Sequence, residues 1–226
     1  MPIKAIVTDI EGTTSSLSFV KEVLFPYARE HLAGYVRTHA DTPEVRKELA
    51  LVHQIVGSTM TLDNTIAQLI RWIDEDKKIT PLKTLQGYIW EEGYRNHRFL
   101  GHIYDDAVIA LRNWHAAGKK LYVYSSGSVQ AQKLLYRHTA YGDLTPLFTD
   151  YFDTRIGAKV DAMSYRHIAE TAHLPPAQIL FLSDIVAELD AAVLAGMQTY
   201  WLVREGAPTL SSAHRIARNF GEIEVK

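Results

Sequence analysis

Ile3-Lys4-Ala5-Ile6-Val7-Thr8-Asp9-Ile10-Glu11-Gly12-Thr13-Thr14 opens the chain with a short apolar, partly β-branched run that ends in a polar turn. A buried parallel strand reads this way, because both of its faces are covered and polar alternation disappears. Asp9 then stands at the carboxyl end of the strand, where open α/β sheets bind ligands. Two carboxylates two residues apart on an irregular turn can point into one pocket while Ile10 packs elsewhere. Such a pair can hold a hard divalent cation through oxygen and divide nucleophile and acid/base duties. An exposed acidic turn is the plainer alternative, and this string alone does not exclude it.

Working outward, four further runs have strand character: Leu121 to Tyr124, a weaker one at Tyr151 and Phe152, Ile179 to Leu182, and Thr199 to Val203. Amphipathic segments of helical length lie between them: Ala107 to Ala117, Val129 to Arg137, Ala162 to Ala172 and Val186 to Ala195. Alternation of this kind predicts an α/β, doubly wound, mostly parallel sheet. The stretch from Phe19 to His102 breaks the alternation. It carries four helical patterns, Phe19 to Val36, Pro43 to Val56, Thr61 to Asp76 and Pro81 to Tyr94, and no convincing strand. Pro43 and Pro81 suit first helical turns. Residues 1–18 and 103–226 are therefore expected to form the catalytic core, and 19–102 an inserted helical cap whose hinges lie near Asp9. The polar stretch Gly206 to Ser212 is expected to be a loop before a C-terminal tail.

Three more strings carry chemistry. In Leu121-Tyr122-Val123-Tyr124-Ser125-Ser126-Gly127-Ser128 a strand ends in small hydroxyl residues before a helix. Backbone N–H groups there form a phosphate cradle, to which the Ser125 hydroxyl can add a donor. A plain helix cap is the competing assignment. Lys159, in Arg155-Ile156-Gly157-Ala158-Lys159-Val160-Asp161, offers a point cation beside a carboxylate and a phosphate, although most lysines are solvated surface groups. Asp184 ends the strand Ile179-Leu180-Phe181-Leu182-Ser183, in the place that completes a magnesium shell. Helix capping is its alternative role, and Glu188 and Asp190 read as solvating or capping groups of the next helix.

Composition narrows the partners. With 226 residues, 47% of them hydrophobic, the chain can bury one core and a smaller appended unit. A formal charge of −2 with no long block of either sign points away from nucleic acid. The absence of Cys excludes thiolate nucleophiles, disulfides and thiolate zinc sites, and suits a reducing compartment. The first apolar run is too short for a signal peptide, and nothing approaches the roughly 20 apolar residues of a spanning helix. The expected location is the cytoplasm, with no membrane partner. No His-Glu-x-x-His spacing supports a zinc peptidase. The serine cluster lacks the glycine that a serine-hydrolase elbow needs two residues before its nucleophile. Trp72, Trp90 and Trp114 read as packing groups; His97 and His102 could flank the lid hinge and touch substrate, but residues so placed are more often ordinary polar surface or loop groups.

Taken together, the strings run carboxylate pair, hydroxyl, lysine, carboxylate at successive strand ends. In that order they resemble the four motifs of the haloacid dehalogenase superfamily. The resemblance implies a Rossmann-like core with a helical cap, one magnesium ion per chain and an aspartyl-phosphate on Asp9. Glu11 departs from it, since most phosphatases of the superfamily carry Asp there. Asp9 to Thr14, Tyr124 to Ser128 and Leu182 to Asp184, with Tyr88-Ile89-Trp90 in the cap, look like the bifunctional enolase-phosphatases of methionine salvage. That narrower resemblance implies a small phosphorylated diketone as substrate, enolised and then dephosphorylated to an acireductone by a monomer. It also implies roles: Asp9 as nucleophile, and the Glu11 side chain as acid and base for the leaving oxygen and the attacking water. Asp9, Asp184 and the Glu11 carbonyl would be metal ligands, and Ser125, the Ser126 backbone and Lys159 would hold the phosphoryl group. Glu11 is also a candidate base for enolisation. Tyr88, Trp90 and Glu91 are candidates for recognition of the methylthio end. Two rivals remain open: a general sugar-phosphate or phosphoglycolate phosphatase, and a catalytically silent binding protein on the same fold.

Overall fold

A computed structural model describes residues 1–206 and 213–225. The chain divides into two compact units, Met1–Leu17 with Leu100–Lys226, and Ser18–Phe99. The sequence boundary at His102 lies beyond this division for a local reason. Gly101 N–H already donates to the His138 carbonyl of the first unit at 2.7 Å, and Ser16 N–H donates to His102 Nδ1 at 3.1 Å.

Among the described residues six parallel strands form the sheet of the first unit: β1 Ala5–Thr8, β2 Lys120–Tyr124, β3 Asp150–Phe152, β4 Ile179–Ser183, β5 Gln198–Leu202 and β6 Arg215–Ala217. They lie side by side in the order β3-β2-β1-β4-β5-β6. The chain winds outward from β1 to β3, then returns to the far side of β1. The reversal between β1 and β4 opens a crevice at their carboxyl ends. Register makes the crevice sharp, because Thr8 faces both Val123 and Leu182 across the two ladders. All four residues of β1 and all five of β4 are buried, as their unbroken apolar runs require.

Four helices serve this sheet: α5 Asp105–Ala116, α6 Val129–Arg137, α7 Ala162–Ala172 and α8 Val186–Leu194. One buried cluster joins Ala5, Val7 and Phe181 of the sheet to Tyr165 and Ile168 of α7 and Leu189 of α8. Burying a side chain of this size contributes about 1.5–3 kcal/mol. The tail expected after Ser212 contains β6, which pairs with β5, and a turn of 3-10 helix at Phe220–Glu222. The loop expected at Gly206 to Ser212 falls outside the described residues from 207 onward.

The second unit is helical: α1 Phe25–His39, α2 Pro43–Val56, α3 Leu62–Asp74 and α4 Thr80–Arg95. Thr42 and Thr61 cap α2 and α3, accepting from Val45 N–H and Asn64 N–H. Pro43 and Pro81 occupy first turns, where a missing N–H costs nothing. The helix expected from Phe19 begins instead as a π-helical stretch, Phe19–Leu24, in which Phe25 N–H bonds back to the Val20 carbonyl. Pro26 follows at once and cannot continue an ordinary ladder. Leu32, Val36, Leu49, Val52, Leu69, Leu85 and Ile89 interlock as the unit's own core. Tyr88 and Trp90 pack against it, with Trp90 Nε1 donating to the Leu24 carbonyl at 2.8 Å. Among the described residues no helix is long and apolar enough to cross a membrane.

Candidate active site

The turn after β1 is built to hold Asp9 still. Asp9 is 5% exposed, and its N–H continues the ladder to the Leu182 carbonyl at 2.9 Å. The Ile10 carbonyl collects the N–H groups of Thr13, Thr14 and Ser15, which winds Glu11 and Gly12 around one turn. Thr14 Oγ1 donates to the Asp9 carbonyl at 3.1 Å and meets the buried Tyr136 hydroxyl at 2.8 Å. Gly12 has φ +70°, and a Cβ placed there would lie 2.2 Å from Asp184 Oδ2. Gly12→Ala should therefore cost at least about 1–2 kcal/mol from left-handed strain alone. It should also push Asp184 aside. A denaturant titration would check both, and an unchanged unfolding midpoint would refute the contact between turn and carboxylate.

At the end of β2 the capping question resolves by position. Ser128 is the N-cap of α6 and accepts from Ala131 N–H at 3.2 Å. Ser125, 4% exposed, stands one turn earlier and accepts from Gly127 N–H at 3.2 Å. Gln132 Nε2 ties down the same turn by donating to the carbonyls of Gly127 and Phe152, both at 2.8 Å. Ser126 is exposed on that turn.

Lys159 is not a solvated lysine. Its side chain is 10% exposed, and Nζ lies 2.6 Å from Asp9 Oδ1 and 2.6 Å from Glu188 Oε2. Burial pulls the ammonium pKa down, but Asp9 and Glu188 outweigh it and hold Lys159 above the ordinary lysine range. The carrying loop is secured at its backbone. Tyr165 Oη donates to the Lys159 carbonyl at 2.7 Å, and Tyr124 Oη to the Gly157 carbonyl at 3.0 Å.

Asp184 sits just past β4, beside Asp9, with its carbonyl accepting from Trp201 Nε1 at 2.9 Å. Burial, then the charges of Asp9 and Glu188, push its carboxyl up to about 7. Asp9 and Glu188 thus share a single ammonium, with the Asp184 carboxyl alongside. A divalent cation would relieve that excess of negative charge, and its donors would be the hard oxygens magnesium prefers. The four sequence strings are brought to one edge of the sheet: Asp9, Lys159 and Asp184 around a common charge cluster, Ser125 at the neighbouring strand tip. His97 is exposed at the end of α4.

The haloacid dehalogenase-like hydrolase family model matches residues 3–196. An enolase-phosphatase E1 of Methylococcus capsulatus is 62% identical over 210 residues, covering 92% of each chain. One from Thioalkalivibrio sulfidiphilus is 57% identical over 98% of this chain and 99% of its own. The chain belongs to the enolase-phosphatase E1 family of haloacid dehalogenase-like hydrolases. The crystal structure of the UTR4 protein of Saccharomyces cerevisiae is 31% identical and superposes with a TM-score of 0.84, covering 98% of this chain and all of that one.

For an enolase-phosphatase family member, Glu188 is the group the sequence reading set aside. At the third position of α8 a carboxylate ordinarily satisfies the helix start. Here it turns back, accepting from Ser183 Oγ at 2.8 Å and pairing with Lys159. No local signal separates this role from helix capping, because Asp184 precedes the helix and the partner Lys159 belongs to a distant segment.

Proposed function

We propose that this enzyme converts a diketo methylthiopentyl phosphate to the acireductone and inorganic phosphate, enolising it first and dephosphorylating it second. The observation that carries the phosphotransfer step is the buried Lys159 bridge to Asp9 at 2.6 Å beside Asp184. Asp9 attacks phosphorus, forming an Oδ–P bond as the bond from phosphorus to the ester oxygen breaks. The Glu11 carboxyl donates a proton to that leaving oxygen. Its carboxylate then takes a proton from water, which attacks the aspartyl-phosphate and frees both Asp9 and phosphate. Ser125, the Ser126 N–H and Lys159 bind the phosphoryl oxygens. As the family resemblance implies, the Asp9 and Asp184 carboxylates and the Glu11 carbonyl would hold the metal; among the described residues no three acidic or histidine side chains enclose an ion unaided. Magnesium, one per chain, would supply charge neutralisation on the phosphoryl and diketone oxygens. One chain supplies every group, so a monomer suffices, and the absence of Cys suits the cytoplasm.

The decisive assay offers the diketone phosphate alongside phosphoglycolate and common sugar phosphates. The family assignment predicts a preference of at least about 100-fold in kcat/KM for the diketone; comparable turnover of the sugar phosphates would favour a general phosphatase. Glu11→Ala should lower phosphate release about 100-fold, within the range of general acid–base catalysis. Magnesium half-saturation should stay within about threefold, because the Glu11 ligand atom is its carbonyl. An effect confined to magnesium affinity would contradict the acid/base role. Solvent-deuterium exchange at the carbon alpha to the carbonyl should slow in the same variant if Glu11 also serves enolisation. Exchange at the wild-type rate would remove it from that step.

A further inference from the structure

We propose that Arg204 is a positioning residue that fixes the nucleophile turn by gripping its backbone. This inference rests on the assignment of Asp9 and Glu11 above. Arg204 follows β5 and its side chain is 11% exposed. Nε and Nη2 both donate to the Thr13 carbonyl, at 3.0 and 2.6 Å. Nη1 donates to both oxygens of Asp106, at 2.9 and 2.7 Å. The guanidinium carbon also lies 4.1 Å from the Tyr104 ring centroid and 5.2 Å from that of Phe220.

The partners of Arg204 are themselves fixed. Asp106 stands in the first turn of α5 and also accepts the Phe220 N–H at 2.7 Å. Tyr104 N–H donates to the Thr14 carbonyl at 2.9 Å, next to the carbonyl that Arg204 holds. Thr14 Oγ1 meets Tyr136 from another side. The turn from Asp9 to Thr14 is therefore gripped at adjacent carbonyls, and Arg204 supplies a charged grip on its backbone, as Lys159 does on the Asp9 side chain.

A fork of five donors can satisfy a carbonyl and a carboxylate at once while stacking on two rings; an ammonium cannot. Without that fork the turn gains room to shift. Asp9 and Glu11 ride on it, whereas Ser125 and Lys159 do not. Misplacement should therefore fall on the attack and proton transfer, leaving phosphate capture largely intact.

The test compares Arg204→Ala, Arg204→Lys and Asp106→Asn in the full chain with magnesium, using the diketone phosphate and a chromogenic aryl phosphate. Arg204→Ala should lower kcat about 30-fold with KM within about threefold, and added guanidinium should restore at least about fivefold of the loss. Arg204→Lys should keep the unfolding midpoint near wild type yet remain about tenfold slow. Asp106→Asn, which keeps the ring stack and the Thr13 bonds, should lose less than either. Two results overturn the proposal: folded Arg204→Ala with kcat within twofold of wild type, or losses that track unfolding midpoint and show no guanidinium rescue. Should Arg204→Ala fail to fold, wild-type kcat in Arg204→Lys overturns it equally. Wild type and Asp9→Asn run in parallel, since activity surviving in Asp9→Asn would count against the nucleophile assignment and not against the grip.

Discussion

Asp9→Asn is expected to reduce phosphate release by at least about 10⁴-fold while the protein still folds. The amide is nearly isosteric but cannot attack phosphorus, so no covalent intermediate forms. Folding survives because Lys159 retains Glu188 at 2.6 Å as a counter-charge, and the Asp9 backbone keeps its bond to Leu182. The variant also separates the two chemistries. Proton abstraction from carbon does not need a nucleophile at phosphorus, so solvent-deuterium exchange into the substrate should continue after phosphate release has stopped. Far-UV circular dichroism, a phosphate assay and mass spectrometry of recovered substrate give the three readouts. Turnover above about one per cent of wild type in a clean preparation would move the nucleophile elsewhere.

Lys159→Ala should be nearly as damaging and for a different reason. It removes the cation that faces Asp9 and, in the proposed mechanism, the transferring group, for an expected loss of about 10³-fold in kcat/KM. It also strands buried carboxylates. Breaking a buried pair by deleting one partner costs about 3–5 kcal/mol, and here one ammonium serves two carboxylates with a third alongside. Destabilisation should be largest in chelator, where Asp9, Asp184 and Glu188 repel without relief. Magnesium should recover much of it, since a cation would take over the neutralising role. Thermal unfolding in chelator and in excess magnesium measures the difference. An equal loss in both would show that the carboxylates do not share a metal with the lysine's charge cluster.

Much of the molecule was legible in one dimension because its signals are local. The runs at Ile6, Leu121 and Ile179 had the unbroken apolar character of strands covered on both faces, and they lie in β1, β2 and β4. Pro43 marked a helix start where α2 begins, and the structure adds Thr42 as its cap. The carboxylates at 9 and 184 could be suspected from their places at strand ends, although only family resemblance ordered them into a site. What escaped had no local signature. β6 is three residues long, and Ile216 within it is 43% exposed, so no hydrophobic run announces it; the open edge of β5 creates it by pairing. Glu188 looked like a helix-solvating acid until α8 was seen to aim it at Lys159.

By itself, then, the order of residues determined the parallel α/β core, the helical insertion and the chemical kinds of group at four strand ends, because periodicity and strand termination are properties of neighbouring residues. Tertiary structure alone decided which charges meet. Lys159 finds Asp9 across 150 positions, and Arg204 finds Thr13 across 191. Whether such a cation is solvated or buried between carboxylates depends on sheet order and register, and these arise only when strands distant in the chain lie side by side.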